Sequence, residues 1–427
     1  MEFELTAKQK ILFDKIEQTD DNFLILGKPG VGKSVLTNAL RELGKKEYTI
    51  AAPTGLAAIN VDGKTLHSLF KIPIIENGII PDTMIMPDKR ELMRLSSVSA
   101  LIIDEISMVR ADTLDYIDRV LKLFRNNTLP FGGIQVIMIG DFCQLPPVVF
   151  GLAKKELAAA GYASEFAFDS FVFNEMDMKI YELTEVLRQK DDLYFMEILN
   201  AARFGTLNEA MVRDLNALVG NARAKAITLT ATNKQADEIN TNEMRRLPSK
   251  IVTYHARVDG DWPESMFPLP GFIPLRAGAQ VMVRKNGADR DNEKESTDEF
   301  YKLVNGTLGI IEETEQDIVK LIDLPKVYRQ SFNRSRKAVN DEGKHRMEVY
   351  ATFNQMPLTP AWAISMHKSQ GQSFTDVNID PSKTFAAGQL YVALSRARSM
   401  FGMTLLNHVN ANKFTVNKNV MAFYESL

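Results

Sequence analysis

Gly27-Lys28-Pro29-Gly30-Val31-Gly32-Lys33-Ser34 fits the pattern G-x-x-x-x-G-K-[ST]. A short apolar run, residues 23–26, precedes it, and a helix-forming stretch, residues 35–43, follows. Glycines let backbone N–H groups turn inward around phosphate oxygens, and the helix aims its positive end at them. In this pattern Lys33 reaches the β- and γ-phosphates and Ser34 ligates Mg2+. The bland alternative is a glycine-rich turn with an exposed lysine, which the flanking strand and helix disfavour.

The neighbouring sequence extends this reading into a sheet. Residues 48–51, 100–103 and 136–139 are also short and apolar, and each runs into a loop rich in Gly, Pro, Ser, Thr or Asp. Helical patterns lie between several of them, as in a parallel sheet with helices packed on it. Ligands bind such α/β folds at the carboxyl ends of the strands. There Leu101-Ile102-Ile103-Asp104-Glu105 ends in two acids. Asp104 is the candidate Mg2+ ligand and Glu105 the candidate base for an attacking water. A helix is expected over residues 108–123. Gly140-Asp141-Phe142-Cys143-Gln144-Leu145-Pro146-Pro147 ends another strand, and the neutral amide of Gln144 suits sensing a γ-phosphate or water. Arg396, within Gln389-Leu390-Tyr391-Val392-Ala393-Leu394-Ser395-Arg396, is a candidate for stabilising charge during phosphoryl transfer, with Arg188 beside it. Each arginine taken alone reads first as a surface ion-pair residue.

The alternation resumes from Tyr181, with a strand at 227–230 and a helix from Asn233 through Met244. A β-rich insert follows, with strands at 280–284, 306–311 and 318–322. The polar runs 289–299 and 334–346 read as loops. The sheet pattern returns at 361–365, 377–379 and 402–406. Residues 72–94, broken by Pro73, Pro81 and Pro87, form an excursion from the first sheet.

A chain of 427 residues is too long for one core. A net charge of −3 gives no global attraction to a polyanion, so any nucleic-acid surface is a local groove. Cys143 is the single cysteine, which excludes an intramolecular disulfide and suits a reducing compartment. The start lacks the apolar core of a signal peptide, and no apolar run approaches the ~20 residues that span a bilayer.

The order of these motifs resembles the PIF (petite integration frequency) family of superfamily 1 helicases, in the 5′-to-3′ branch that also holds RecD-like enzymes. The resemblance covers nearly the whole chain. Leu5 and Gln9 match the motif that reads adenine. Residues 27–34, running on into Val35, match the phosphate loop, with Gly27, Pro29, Gly30, Val31 and Gly32 around the nucleotide. Residues 51–58, with Pro53 and Thr54, and 65–70, with His67, Ser68 and Phe70, resemble the first DNA-contacting motif. Pro130-Phe131-Gly132-Gly133-Ile134-Gln135, running into residues 140–148, is the most family-specific stretch. Residues 183–189 carry the motif with Arg188. Residues 365–373, with His367, Lys368, Gln370 and Gly371, match the motif coupling nucleotide to DNA. Residues 391–398 supply the arginine finger, Arg396. Thr230 is a further hydroxyl at a strand end for a DNA phosphate.

The resemblance implies an α/β fold of two RecA-like P-loop lobes with parallel sheets. Residues 1–180 form the first lobe, with a wedge insert at 71–96; 181–245 and 357–427 form the second. Residues 246–356 form a small Src-homology-type barrel within the second lobe. It implies an ATP- and Mg2+-dependent 5′-to-3′ DNA helicase acting on single-stranded and partially duplex DNA. It also implies links to G-quadruplex unfolding, DNA repair, recombination and telomere maintenance. A minimal bacterial or phage form is expected, cytoplasmic, monomeric in solution, without membrane or disulfide partner. The basic run Arg329, Arg334, Arg336, Lys337, Lys344, His345 and Arg346 reads as a solvated face, or as a guide for a strand. Two other readings stay open: a single-strand translocase that unwinds poorly, and a small-molecule phosphotransferase.

Overall fold

A computed structural model describes residues 5–61, 63–73, 75, 78–81, 98–149, 151–185, 192–264, 267–285, 287–289, 303, 305–339 and 345–427. The chain divides into two compact units, Met1–Ala222 with Met366–Leu427, and Arg223–Ser365.

In the first unit, β1 (Asn22–Leu26), β2 (Tyr48–Ala52), β3 (Lys64–Thr65), β4 (Ala100–Ile103), β5 (Gln135–Gly140) and β6 (Met178–Glu182) form one sheet. Its order is β3-β2-β4-β5-β1-β6, and every pairing is parallel. β4 and β5 are buried along their whole length. That is why they read as unbroken apolar runs rather than alternating ones. The order brings β4, β5 and β1 side by side, so the loops that follow them open together at one edge. This is the architecture of a RecA-like lobe. The expected divide at residue 180 falls inside β6, which pairs with β1 along its whole length.

The helix Ala7–Gln18 starts on a reciprocal cap: the Thr6 hydroxyl accepts from Gln9 N–H, and the Gln9 side chain accepts from Thr6 N–H. The helix Lys33–Leu43 buries Leu36, Ala39 and Leu40, one face at helical spacing. The expected helix from 108 begins later. Glu105 takes a left-handed conformation (φ 52°), the chain makes a 3₁₀ turn at Ile106–Met108, and the helix proper is Ala111–Arg125. Asp112, Asp115 and Asp118 lie buried on it. They accept main-chain N–H groups from Ile80, from Phe171 and Val172, and from Phe131. Phe131, Gly132 and Gly133 all have positive φ. A Cβ on Gly132 would lie 2.6 Å from the Leu121 carbonyl oxygen, so this left-handed run requires glycine there. Later in the same unit, Val377–Ile379 and Met403–Leu405 form a further parallel pair.

In the second unit, Ile227–Thr230 pairs in parallel with Ala363–Ser365, and the helix Asn233–Arg246 packs on both. An antiparallel five-stranded sheet runs Val327–Tyr328, Ile318–Leu321, Leu308–Thr314, Gln280–Val283, Leu358–Pro360. The polar run 334–346 is not simply a loop. Gln330–Val339 and His345–Gln355 are antiparallel strands, and residues 340–344 lie outside the described residues. Phe332 faces Phe353 across them, and Phe353 is fully buried. That apolar root anchors a ladder that the polar composition of the outer part conceals. Of the excursion at 72–94, residues 74, 76–77 and 82–94 lie outside the described residues, so the wedge is not among the elements seen. Among the described residues no helix is long and apolar enough to cross a membrane.

Candidate active site and nucleic-acid interface

The loops after β1, β4 and β5 enclose a cavity of about 290 Å³ lined by Pro29, Gly30, Gly32, Lys33, Ser34, Val35, Asp104, Glu105, Gln144, Gly371 and Arg396. Every one is a residue the motifs single out. Gly30 and Gly32 have φ of 86° and 80°, which turns the loop back on itself. Gly27 N–H donates to the Gly140 carbonyl at 3.1 Å, tying the start of the loop to the end of β5. The Lys33 ammonium donates to the carbonyls of Gly27 and Lys28. Burial lowers its pKa, opposed by Asp141, Glu105 and Asp104. Burial, and then the neighbouring Glu105, push the Asp104 carboxyl up to about 7.

Two polar atoms of the lining are buried without a hydrogen-bond partner, Glu105 Oε2 and Gln144 Oε1. Gln370, an expected nucleotide residue, does not line the cavity, though both its amide atoms are likewise buried and unpartnered next to the lining Gly371. Each such atom costs about 1–3 kcal/mol. Their concentration at one cavity fits a site completed by phosphate oxygens, water and a cation. Among the described residues no three His, Cys, Asp or Glu side chains cluster to hold a metal by themselves. Ser34 and Asp104, both in the lining, offer the few oxygen ligands of the kind that a hard cation takes together with phosphate oxygens.

Other expected nucleotide residues stand back from the cavity. Val31 is buried in the core. The Gln9 amide is engaged at both ends, accepting from Thr6 N–H and donating to the carbonyls of Val31 and Gly32, both at 3.2 Å. It braces the phosphate loop. The Arg396 guanidinium lines the cavity while donating to the carbonyls of Val392, Ser369 and Gln372 and to the Ser395 hydroxyl. Arg188 lies outside the described residues.

A polar ring behind the cavity escaped the sequence reading. Asp141 is fully buried and Arg203 is 3% exposed. Arg203 donates to Asp141 (3.1 Å), Glu182 (2.8 Å) and the Tyr424 hydroxyl (2.9 Å). Burial works against the Arg203 charge, but Asp141, with Tyr424, Tyr391 and Cys143 beside it, together outweigh it and the pKa is raised. Removing one partner of a buried pair costs about 3–5 kcal/mol, so the ring stands or falls as a unit. One signal was present. On the helix Leu193–Phe204, Phe195 and Leu199 are buried four apart, and Arg203 takes the next place on that stripe, where an apolar residue is expected.

A second cavity, about 220 Å³, is lined by Pro53, Thr54, Leu66, His67, Pro73, Ile75, Ile80, Met108, Val109, Arg110, Thr113, Pro147 and Val148. It joins the two halves of the expected DNA-contacting motif. It also touches the loop after β5, which thus carries Gln144 to one cavity and Pro147 and Val148 to the other. Burial, and then Arg110, lower the His67 pKa, so the imidazole is neutral at pH 7. Ser68 is exposed on the same short helix. Two expected contacts are corrected. Phe70 is fully buried, a core residue. Thr230 is buried too, its hydroxyl donating to the carbonyls of Thr232 and Ile364; a hydroxyl so committed is not offered to a phosphate. His367 and Lys368 lie on the turn His367–Ser369. Burial lowers the His367 pKa, and Lys368 is exposed.

These charge states give a prediction. Lys368→Ala is expected to reduce the slope of log affinity for single-stranded DNA against log salt by about 0.7, one phosphate contact. His67→Gln, replacing a neutral group, is expected to weaken binding at every salt concentration and leave the slope unchanged. Fluorescence anisotropy over a salt series measures both; an unaltered slope in Lys368→Ala removes that contact.

Residues 4–213 match the family model described as PIF1-like helicase. The chain is 32% identical to the ATP-dependent DNA helicase PIF1 of Danio rerio over 95% of its own length, and spans 61% of that relative, about three fifths. It is 32% identical to a Bacteroides Pif1 solved bound to single-stranded DNA, covering 99% of this chain and 96% of that one with a TM-score of 0.76. The same identity and coverage hold for a Bacteroides Pif1 solved with ADP-AlF4, at a TM-score of 0.80. With the phosphate loop, the paired acids, the left-handed Phe131-Gly132-Gly133 run and the Gln144 loop all in one lobe, the chain belongs to the PIF1-like helicase family.

Proposed function

We propose that this chain is an ATP-driven DNA helicase that moves 5′ to 3′ along a single strand and separates duplex ahead of it. The observation that carries the reading is the convergence of Lys33, Ser34, Asp104, Glu105, Gln144 and Arg396 on one cavity, with atoms of Glu105 and Gln144 left for a ligand to pair. Relatives solved with single-stranded DNA and with ADP-AlF4 support both ligands.

In this reading the residues through the end of β6 form one lobe, those from there to 245 with 357–427 the other, and 246–356 a small barrel inserted in it. Ser34 and Asp104 would hold Mg2+, which supplies charge neutralisation at the β- and γ-phosphates. The phosphate loop wraps its N–H groups around the same oxygens. Glu105 takes a proton from the attacking water as the bond from the γ-phosphorus to the bridging oxygen breaks, giving ADP and phosphate. Lys33, Arg396 and Arg188 stabilise the charge that develops. Gln144 senses the γ-phosphate, and its loop passes the change to Pro147 and Val148 in the second groove. There Pro53, Thr54, His67 and Ser68, with His367 and Lys368, hold the strand by its phosphates and bases.

The test is ATP hydrolysis with and without single-stranded DNA, followed by unwinding of 5′-tailed and 3′-tailed duplexes. Hydrolysis stimulated by DNA, with unwinding from the 5′ tail, is expected. Stimulation without unwinding favours a single-strand translocase. Hydrolysis indifferent to DNA and RNA favours a small-molecule phosphotransferase. Unwinding only from the 3′ tail refutes the polarity.

A further inference from the structure

Asp141 lies three residues before Gln144 and never reaches the cavity. Its carboxylate accepts from Arg203 Nε at 3.1 Å, the Tyr391 hydroxyl at 2.8 Å, the Tyr424 hydroxyl at 3.2 Å and Cys143 N–H at 3.2 Å. Tyr391 lies on the helix Gln389–Leu394, and Arg396 follows the end of that helix. The helix starts at Gly388, whose φ is 72°; a Cβ there would come within 2.3 Å of the Cys143 carbonyl oxygen and 2.6 Å of that of Gln144. The element that carries Arg396 is thus seated directly on the main chain that carries Gln144. Arg203 also holds Glu182, and the next residue, Leu183, donates its N–H to Leu26, just before the phosphate loop.

We propose that Arg203, Tyr391 and Tyr424 are positioning residues which act through Asp141 to keep Gln144 and Arg396 in register around the γ-phosphate. This rests on the ATP hydrolysis proposed above. Mere packing would be served as well by apolar groups, since a buried polar ring gains little stability over a hydrophobic one of the same shape. What the ring adds is direction: two hydroxyls and one guanidinium fix the carboxylate, and with it the loop, in one orientation. Misplacement of reacting groups by about an ångström costs up to roughly a hundredfold in rate.

Tyr391→Phe keeps the ring and loses one hydrogen bond to Asp141. It is expected to lose a few degrees of melting temperature, to stay folded at the assay temperature and to keep its KM for ATP, while kcat falls roughly tenfold or more. Arg203→Lys is expected to recover part of the kcat lost in Arg203→Met. Tyr424→Phe, at the rim, gives a second reading of the same kind should Tyr391→Phe not fold. A folded Tyr391→Phe or Tyr424→Phe protein with unchanged kcat overturns the proposal. So does a loss of kcat that only tracks the loss of folded protein, with no recovery in Arg203→Lys. A wild-type chain that hydrolyses no ATP, with or without single-stranded DNA, overturns the proposal together with the reading beneath it.

Discussion

Lys33→Ala is expected to lower ATP turnover by on the order of 10²–10³-fold or more, measured as phosphate release with single-stranded DNA present. The ammonium already sits inside the turn of the phosphate loop, donating to Gly27 and Lys28. Burial costs it free energy, and Asp141, Glu105 and Asp104 hold its charge in place. With a phosphate in the loop, the ammonium can exchange these carbonyls for phosphate oxygens and meet the charge that develops during transfer. Alanine removes both the charge and the donor. The protein itself is expected to stay folded, because the helix Lys33–Leu43 buries Leu36, Thr37, Ala39 and Leu40 rather than Lys33. Turnover equal to wild type would remove the nucleotide site from this loop.

Glu105→Gln is expected to lower turnover by roughly 10²–10⁴-fold and leave nucleotide affinity close to wild type. The two acids occupy different places in the cavity. Asp104 is held by Glu105 N–H, which donates to it at 2.9 Å, and is the one suited to a cation. Glu105, at its left-handed turn, lines the cavity and keeps Oε2 buried and unpaired, which suits the base proposed above. Glutamine keeps the shape and loses the base. A fluorescent ATP analogue reports binding and phosphate release reports turnover. If affinity falls in step with turnover, Glu105 is holding the cation, and the base must be sought elsewhere.

The nucleotide cavity was legible in the sequence because all of its lining but Gly371 and Arg396 follows a buried parallel strand at a fixed spacing. Residues 27–34, 104–105 and 140–147 are contiguous, so a local string carries the geometry. The errors have a common physical source. Phe70 and Thr230 look like groove residues by their neighbours, but sequence does not say which face of an element turns inward. The hairpin at 330–355 was hidden because its charged residues mask a ladder rooted in Phe332 and Phe353. The ring around Asp141 joins residues far apart in the chain, and nothing local in Glu182, Arg203, Tyr391 or Tyr424 announces that they meet. Only Arg203, out of keeping on an apolar stripe, left a trace.

That ring also fixes an order of events at the ribosome. Asp141 and Tyr424 are 283 residues apart, and at ~5–20 residues per second the second emerges on the order of tens of seconds after the first. The unit Arg223–Ser365 has been made by then. Phe423, which stacks on Phe168 and meets Phe142 edge-on, arrives at the same late moment. The nascent first sheet therefore waits with Asp141, Arg203 and these aromatic rings still wetted. The unit that holds the phosphate loop therefore closes its polar ring only after the whole of Arg223–Ser365 has been made.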